Sequence, residues 1–377
     1  MKRKHCKDKI HRPVNVAAVL LAALYFFLIR GQVAANEPER PDAITPEMVD
    51  SMKVLPGNLG ALPSVPIPVE NPQTEAKIEL GKRLFFDVRL SLDDSTSCAT
   101  CHDPEKGFAD GLPRSKGFNG AILPRNSPTV LNAAYNTAQF WDGRVATLDE
   151  QCQRPLMAAA EMNMIDEQHL VERLRSIPGY AEEFQSVYGE GPSLDRVAKA
   201  VAAFERTLVT PGSRFDRYAL GDKSAINDQE KRGLGLYFGK AGCSECHKGA
   251  NFTDNNFYSL GVVAAPGTVP DLGRFAVTGK AEDRGAFKTP TLRNVTLTAP
   301  YMHDGSIATL EEVIEFYDRG GGDGPNKSNL LYKLELSPAE KADLRSFLNT
   351  LTGPMPHLEL PKMYPDRSTN SSAGQSR

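Results

Sequence analysis

Residues 98–102 read CATCH and residues 243–247 read CSECH. Each puts two thiols and an imidazole on one turn of chain, the arrangement that adds to the two vinyl groups of a haem and swings the histidine beneath its iron. One isolated copy could equally be a redox dithiol or half of a zinc site. Two copies, both ending in histidine, point to covalent haem twice. Cys98, Cys101, Cys243 and Cys246 are then the attachment points, and His102 and His247 the proximal iron ligands. The fold must supply two haem-sized pockets.

The motifs head a longer repetition. PTVLNAAYNTAQFWDGRVATLDE (128–150) lies without gaps over PTLRNVTLTAPYMHDGSIATLEE (290–312), matching at Pro, Thr, Asn, Asp-Gly, Ala-Thr-Leu and the final Glu. Two motifs recurring in one order predict two related halves, each holding a haem, with a boundary near the Thr210-Pro211-Gly212 turn. A chain of 377 residues with 40% apolar content can fill two cores. The expected division is a signal at 1–35, an extended proline-rich arm at 36–70, haem domains at 71–212 and 213–355, and a disordered polar tail at 356–377.

The regular segments read as helices. Ser337-Pro338-Ala339-Glu340 carries the cap, the N1 proline and the N3 glutamate of a capping box; Asn227 with Glu230 and Thr309 with Glu312 repeat the signature. SLDRVAKAVAAFERTL (193–208) has helical apolar spacing, and strand-like alternation is scarce. The fold class expected is mostly α, built from two cytochrome c-like domains joined by long loops.

A basic start (Lys2 to Arg12), an apolar run from Val14 to Ile29 and Val33-Ala34-Ala35 follow the order of an export signal. Export to the periplasm is expected, with a retained anchor as the alternative. Exported cysteines usually pair as disulfides, but four of the six here are committed to haem, Cys6 lies in the signal, and Cys152 reads as a buried spectator thiol. The formal charge of −3, from 44 basic and 47 acidic residues spread along the chain, gives no field suited to nucleic acid or an anionic membrane surface.

What faces each iron opposite its histidine decides the chemistry. In the second half, Met302, His303 and Tyr317 are all candidates: methionine is a common sixth ligand, tyrosinate would favour ferric iron, and His303 could instead bond a haem propionate. Spacing does not choose among them. In the first half the loop from Asp103 to Asn119 offers no usual ligand, and the position of His303 is taken by Trp141. Gln151 and Glu161 follow. An open iron with a carboxylate and an amide nearby suits peroxide, which needs a base to carry a proton from one oxygen to the other. For Glu161 a surface position on a helix remains open, as does plain core packing for Trp141.

These residues make the chain resemble the bacterial di-haem cytochrome c peroxidases and their MauG relatives. The similarity runs from about Thr74 to Gly353, through LFFDVRLS, SCATCH, RNSPTVLNAAYNTAQFWDGR, AEMN, ERTLVTP, FDRY, CSECH, GRFAVTG, LRNVTLTAPYMHDGS and TLEEV. It implies a peroxide-reactive N-terminal haem, an electron-accepting C-terminal haem, and Trp141 between them. Glu161 falls on the distal acid-base glutamate and Gln151 on a distal glutamine. Asn126, Thr298 and Pro300 fall on positions whose oxygens hold a calcium ion. The chain departs from the peroxidases at two places. Phe118 stands where forms needing reductive activation carry a removable histidine, and Tyr317 aligns with the methionine ligand, as in MauG-type proteins.

The resemblance implies an exported peroxidase that reduces hydrogen peroxide with electrons from a small c-type cytochrome or similar periplasmic donor; it also admits a homodimer. The alternatives are a MauG-like enzyme that oxidises residues of a partner protein through a shared high-valent state, and a di-haem electron carrier without enzymatic activity.

Overall fold

The computed structural model describes residues 44–264, 269–324 and 326–365. The expected signal, the first residues of the arm and residues 366–377 lie outside these. Helices dominate: α1 (Pro46–Ser51), α2 (Glu75–Phe86), α3 (Cys98–Cys101), α4 (Leu148–Met157), α5 (Glu167–Ser176), α6 (Tyr180–Tyr188), α7 (Leu194–Glu205), α8 (Arg214–Ala219), α9 (Asp228–Phe238), α10 (Phe275–Thr278), α11 (Leu310–Asp318) and α12 (Pro338–Asn349). Among the described residues the only sheet is a two-residue antiparallel pair, β1 (Phe257–Tyr258) with β2 (Phe287–Lys288).

Local chemistry sets the helix starts. The capping boxes expected at Asn227, Thr309 and Ser337 open α9, α11 and α12, each side chain accepting from the N3 backbone N–H while the N3 glutamate reaches back. Thr147 with Glu150 opens α4 in the same way. Ser193 caps α7, which ends at Glu205.

Two hydrophobic clusters form. The first joins α2, α4 and α7 through Leu80, Leu84, Phe85, Leu156, Val197, Val201 and Phe204. The second gathers Phe215, Leu234, Tyr237, Phe252, Leu344 and Phe347 around α9 and α12. Each is crossed at a glycine: a Cβ on Gly81 would fall 1.8 Å from the Ala200 carbonyl oxygen, and one on Gly233 2.0 Å from that of Asp343. Only glycine lets these backbones approach so closely.

Two segments differ from expectation. The described part of the arm forms α1 and buries Val49, Leu55 and Leu59 in the second cluster, at 0%, 7% and 6% exposure. Three apolar residues separated by turn formers make a packing edge without helical or strand periodicity. Within the expected tail, Tyr364 docks on the first half: its ring lies 5.0 Å from Tyr180, beneath Arg83, and its hydroxyl donates to Glu183 at 2.9 Å.

The stretches 128–150 and 290–312 share a backbone path. Asn132 and Asn294 have φ of 60° and 59°, Phe140 and Met302 66° and 71°. Bridges Gln139–Val145 and Tyr301–Ile307 close the two turns. Between the two segments the contacts are reciprocal: the Asn126 N–H donates to the His303 carbonyl at 2.8 Å, and the Lys288 N–H to the Trp141 carbonyl at 2.7 Å. Arg125 adds a bidentate pair to Asp271 (2.6 and 2.9 Å) and a third bond to Asp142 (2.7 Å).

Candidate functional site

Ser97 and Thr100 form a capping box around α3, which carries Cys98 and Cys101 and delivers His102 just past its end. The His102 Nδ1 lies 3.2 Å from the Phe108 carbonyl, and the His247 Nδ1 3.1 Å from those of both Phe252 and Pro290. A carbonyl can only accept, so Nδ1 carries the proton and Nε2 keeps its lone pair for a metal. Phe108 and Phe252 turn these carbonyls inward with φ of 56° and 51°, a left-handed conformation that bulky residues rarely adopt. Burial pushes both histidines below the usual imidazole value, favouring the neutral, ligating form.

The four motif cysteines form no disulfide. Burial pushes their thiols up, Cys101 and Cys246 to about 11, so none is poised as a thiolate nucleophile. Free thiol pairs beside imidazoles with open Nε2 atoms are the donor set that covalent haem requires, and the residues fit it.

Near the first motif, Glu161 sits in the turn after α4, its N–H donating to the Ala158 carbonyl at 2.9 Å. Burial raises its carboxyl, with Arg144 opposing the shift. Its charge acts on the thiols of Cys98 and Cys101, which places the carboxyl beside the motif. The Glu161 carbonyl accepts from the Phe118 N–H at 2.8 Å, fastening the loop that lacks a histidine against the same turn. Gln151 lies near the start of α4, with Oε1 3.6 Å from the Cys152 sulfur. Cys152 is 6% exposed, within the first core.

The second motif opens on a cavity of about 260 Å³ whose walls include His247, Trp141, Met302, His303 and Tyr317. The Trp141 indole donates to the Asn126 carbonyl at 2.9 Å. His303 stacks on Phe287, ring centres 3.7 Å apart, with Arg125 over the other ring. The Tyr317 hydroxyl has no hydrogen-bond partner among the described residues; burial, then the charges of Cys243 and Cys246, raise its pKa. Met302 lines the same cavity from its left-handed turn.

Asn126, Thr298 and Pro300 share this wall. The Asn126 amide nitrogen donates to the Leu112 carbonyl at 2.8 Å, turning its side-chain oxygen free, and the Thr298 hydroxyl donates to Val295 at 3.3 Å. Among the described residues no cluster of three His, Cys, Asp or Glu is placed to hold a metal. A cation here would rest on neutral oxygens, the donors calcium accepts.

Two residues escaped sequence reasoning. Arg144, the charge opposing Glu161, replaces Ser306 across the repeat. Lys288 is 8% exposed on the cavity wall, and burial pushes its pKa down to about 8. Extending the repeat two residues back pairs Lys288 with Asn126 and would have drawn attention to it.

A profile of the di-haem cytochrome c peroxidase family matches residues 75–224. The methylamine utilization protein MauG of Methylorubrum extorquens is 46% identical over 304 residues, 80% of this chain and 85% of that protein. The cytochrome c551 peroxidase of Nitrosomonas europaea is 38% identical over 363 residues, 95% and 97% of the two chains. A MauG-like protein associated with microbial copper homeostasis superposes with a TM-score of 0.72 at 36% identity, covering 78% of this chain and 94% of that one. Relatives this similar over this much of their length place the chain in the di-haem cytochrome c peroxidase family, alongside MauG.

Proposed function

We propose that the chain reduces hydrogen peroxide to water at the haem held by His102, with electrons entering at the haem held by His247 and passing Trp141. The observation that carries this reading is the half-buried carboxyl of Glu161, raised by desolvation beside Cys98 and Cys101. Haem supplies the redox chemistry when bound. Glu161 takes a proton from one peroxide oxygen and returns it to the other, and burial holds its pKa nearer neutrality, where a proton shuttle works best. Gln151 orients the peroxide. Trp141, anchored by Asn126 and Lys288, occupies the seam between the halves.

The paired backbone path of 128–150 and 290–312 supports two cytochrome c-like domains, peroxidatic at 71–212 and electron-transferring at 213–355. In this reading Tyr317, or alternatively Met302, would supply a further ligand to the second haem. Calcium at Asn126, Thr298 and Pro300 ties the halves together. The chain works in the periplasm with a small c-type cytochrome as donor. Steady-state turnover of peroxide with reduced cytochrome c tests this directly; turnover no greater than that of free haem would remove the assignment.

Tyr317, facing the second motif with its hydroxyl unpartnered, favours one second reading: oxidation of residues in a partner protein, as in MauG. A partner quinoprotein precursor that stays unmodified when this chain is deleted would support it.

A further inference from the structure

Glu205, the last residue of α7, is 3% exposed, and its Oε2 has no hydrogen-bond partner among the described residues. Negative charge is disfavoured there twice, by the carbonyl end of the helix and by burial without a counter-ion. The neighbouring Arg206 opposes the burial but does not cancel it. That guanidinium is committed to Asp149, and its Nη1 is itself buried without a partner. The groups facing Glu205 are Cys98 on α3, Cys152 and Asp149 on α4, and Arg206 after α7. Lys77 on α2 faces Asp149 and Arg206 and is held by Asn71 and the Pro72 carbonyl. Cys152, whose S–H points to the Gln151 Oε1 at 3.6 Å, neighbours Glu205, and the Glu205 charge acts on Cys98, the thiol that would join the haem.

We propose that Glu205 is a redox-linked proton site of the haem attached through Cys98: it holds a proton when that haem is reduced and releases it when the haem loses an electron. The electron goes to an external one-electron acceptor and leaves a positive charge beside the carboxyl. The carboxyl O–H bond then breaks, its electron pair stays on oxygen, and the proton passes to water. Reduction reverses both transfers. Cys152 turns its S–H from Gln151 to the ionised form and steadies it. Burial raises the carboxyl to about 8, so it carries its proton at neutral pH until such a charge arrives. Peroxide reduction consumes one proton per electron, and Glu205 brings one in with each reduction of this haem.

The proposal rests on haem being attached at Cys98, which mass spectrometry of the holoprotein checks independently. The midpoint potential of the first haem is then titrated over roughly pH 6 to 9, either side of the elevated carboxyl value of about 8. The wild type should show a potential that falls with pH, approaching one proton per electron, and Glu205→Gln should lose that slope. Equal slopes in the two proteins, or a flat wild type, would overturn the proposal. Redox-difference infrared spectra of the wild type, labelled with ¹³C-glutamate, give a second readout that needs no variant. A protonated glutamate carbonyl band should disappear on oxidation, and its persistence would overturn the proposal even if the variant failed to fold. Failure of peroxide turnover with the slope intact would sink the proposed function and leave Glu205 standing.

Discussion

Glu161 and Glu205 are both carboxyls raised by burial, and their neighbours separate their roles. Glu161 is half-buried and faces Arg144 beside Cys98 and Cys101; Glu205 is enclosed among Cys98, Cys152, Asp149 and Arg206. Glu161→Gln should slow the reaction with peroxide by about 10²- to 10⁴-fold, the usual worth of a positioned proton carrier. Because the base form is required and its pKa is raised, the wild-type rate should climb with pH through a limb above the ordinary carboxylate range, and stopped-flow profiles of the variant should lack it. For stability the sign runs the other way. Glu205 ionises near 4.5 when unfolded and at about 8 when folded, so the folded state keeps a proton the unfolded state has lost. Its contribution is complete below pH 4.5 and is lost as pH rises through 8, so wild-type unfolding midpoints measured against Glu205→Gln should decline over that window. At the second haem, Tyr317→Phe should alter the low-spin paramagnetic resonance signal while Met302→Leu leaves it unchanged. Glu161 drew attention because AEMN stands after the repeated turn and resembles the family's distal glutamate motif. Glu205 was not, since the end of an amphipathic helix reads as solvent-facing and its burial comes from α3 and α4.

Helix starts were the most legible elements, because a cap and its N3 partner lie within four residues of each other. Crossings were not, since nothing local marks Gly81 or Gly233 as touching a backbone more than a hundred residues away. Gly81→Ala and Gly233→Ala should each destabilise by about 1–3 kcal/mol or more, as overpacked cores do, because the clash is with a carbonyl oxygen rather than a side chain that can turn. Chemical denaturation of the holoprotein measures this. Helix propensity predicts the opposite sign, so a stabilised variant would show that the crossing relaxes. The arm was misjudged for a related reason: Val49, Leu55 and Leu59 are too widely spaced for periodicity, and their burial depends on α9 and α12.

The whole molecule depends on contacts between distant segments. Arg125, 17% exposed, holds Asp142 and Asp271 together across the seam. Arg125→Met should leave Asp271 without its partner while Asp142 keeps Arg144, and cost about 1–3 kcal/mol, the usual penalty of an unsatisfied polar group; thermal unfolding checks it. Repetition in the sequence paired the two stretches but not how they meet, because two of the bonds joining their segments run between backbone atoms that every residue possesses. Those bonds have the form Asn126 to His303 and Lys288 to Trp141. Position i on one side meeting position j on the other, while j on the first side meets i on the second, is how two identical subunits associate about a two-fold axis. Here one polypeptide supplies both sides, so the association is intramolecular and no dilution can dissociate it. Each side is also free to mutate alone, which is how one face can carry an indole where the other keeps an imidazole.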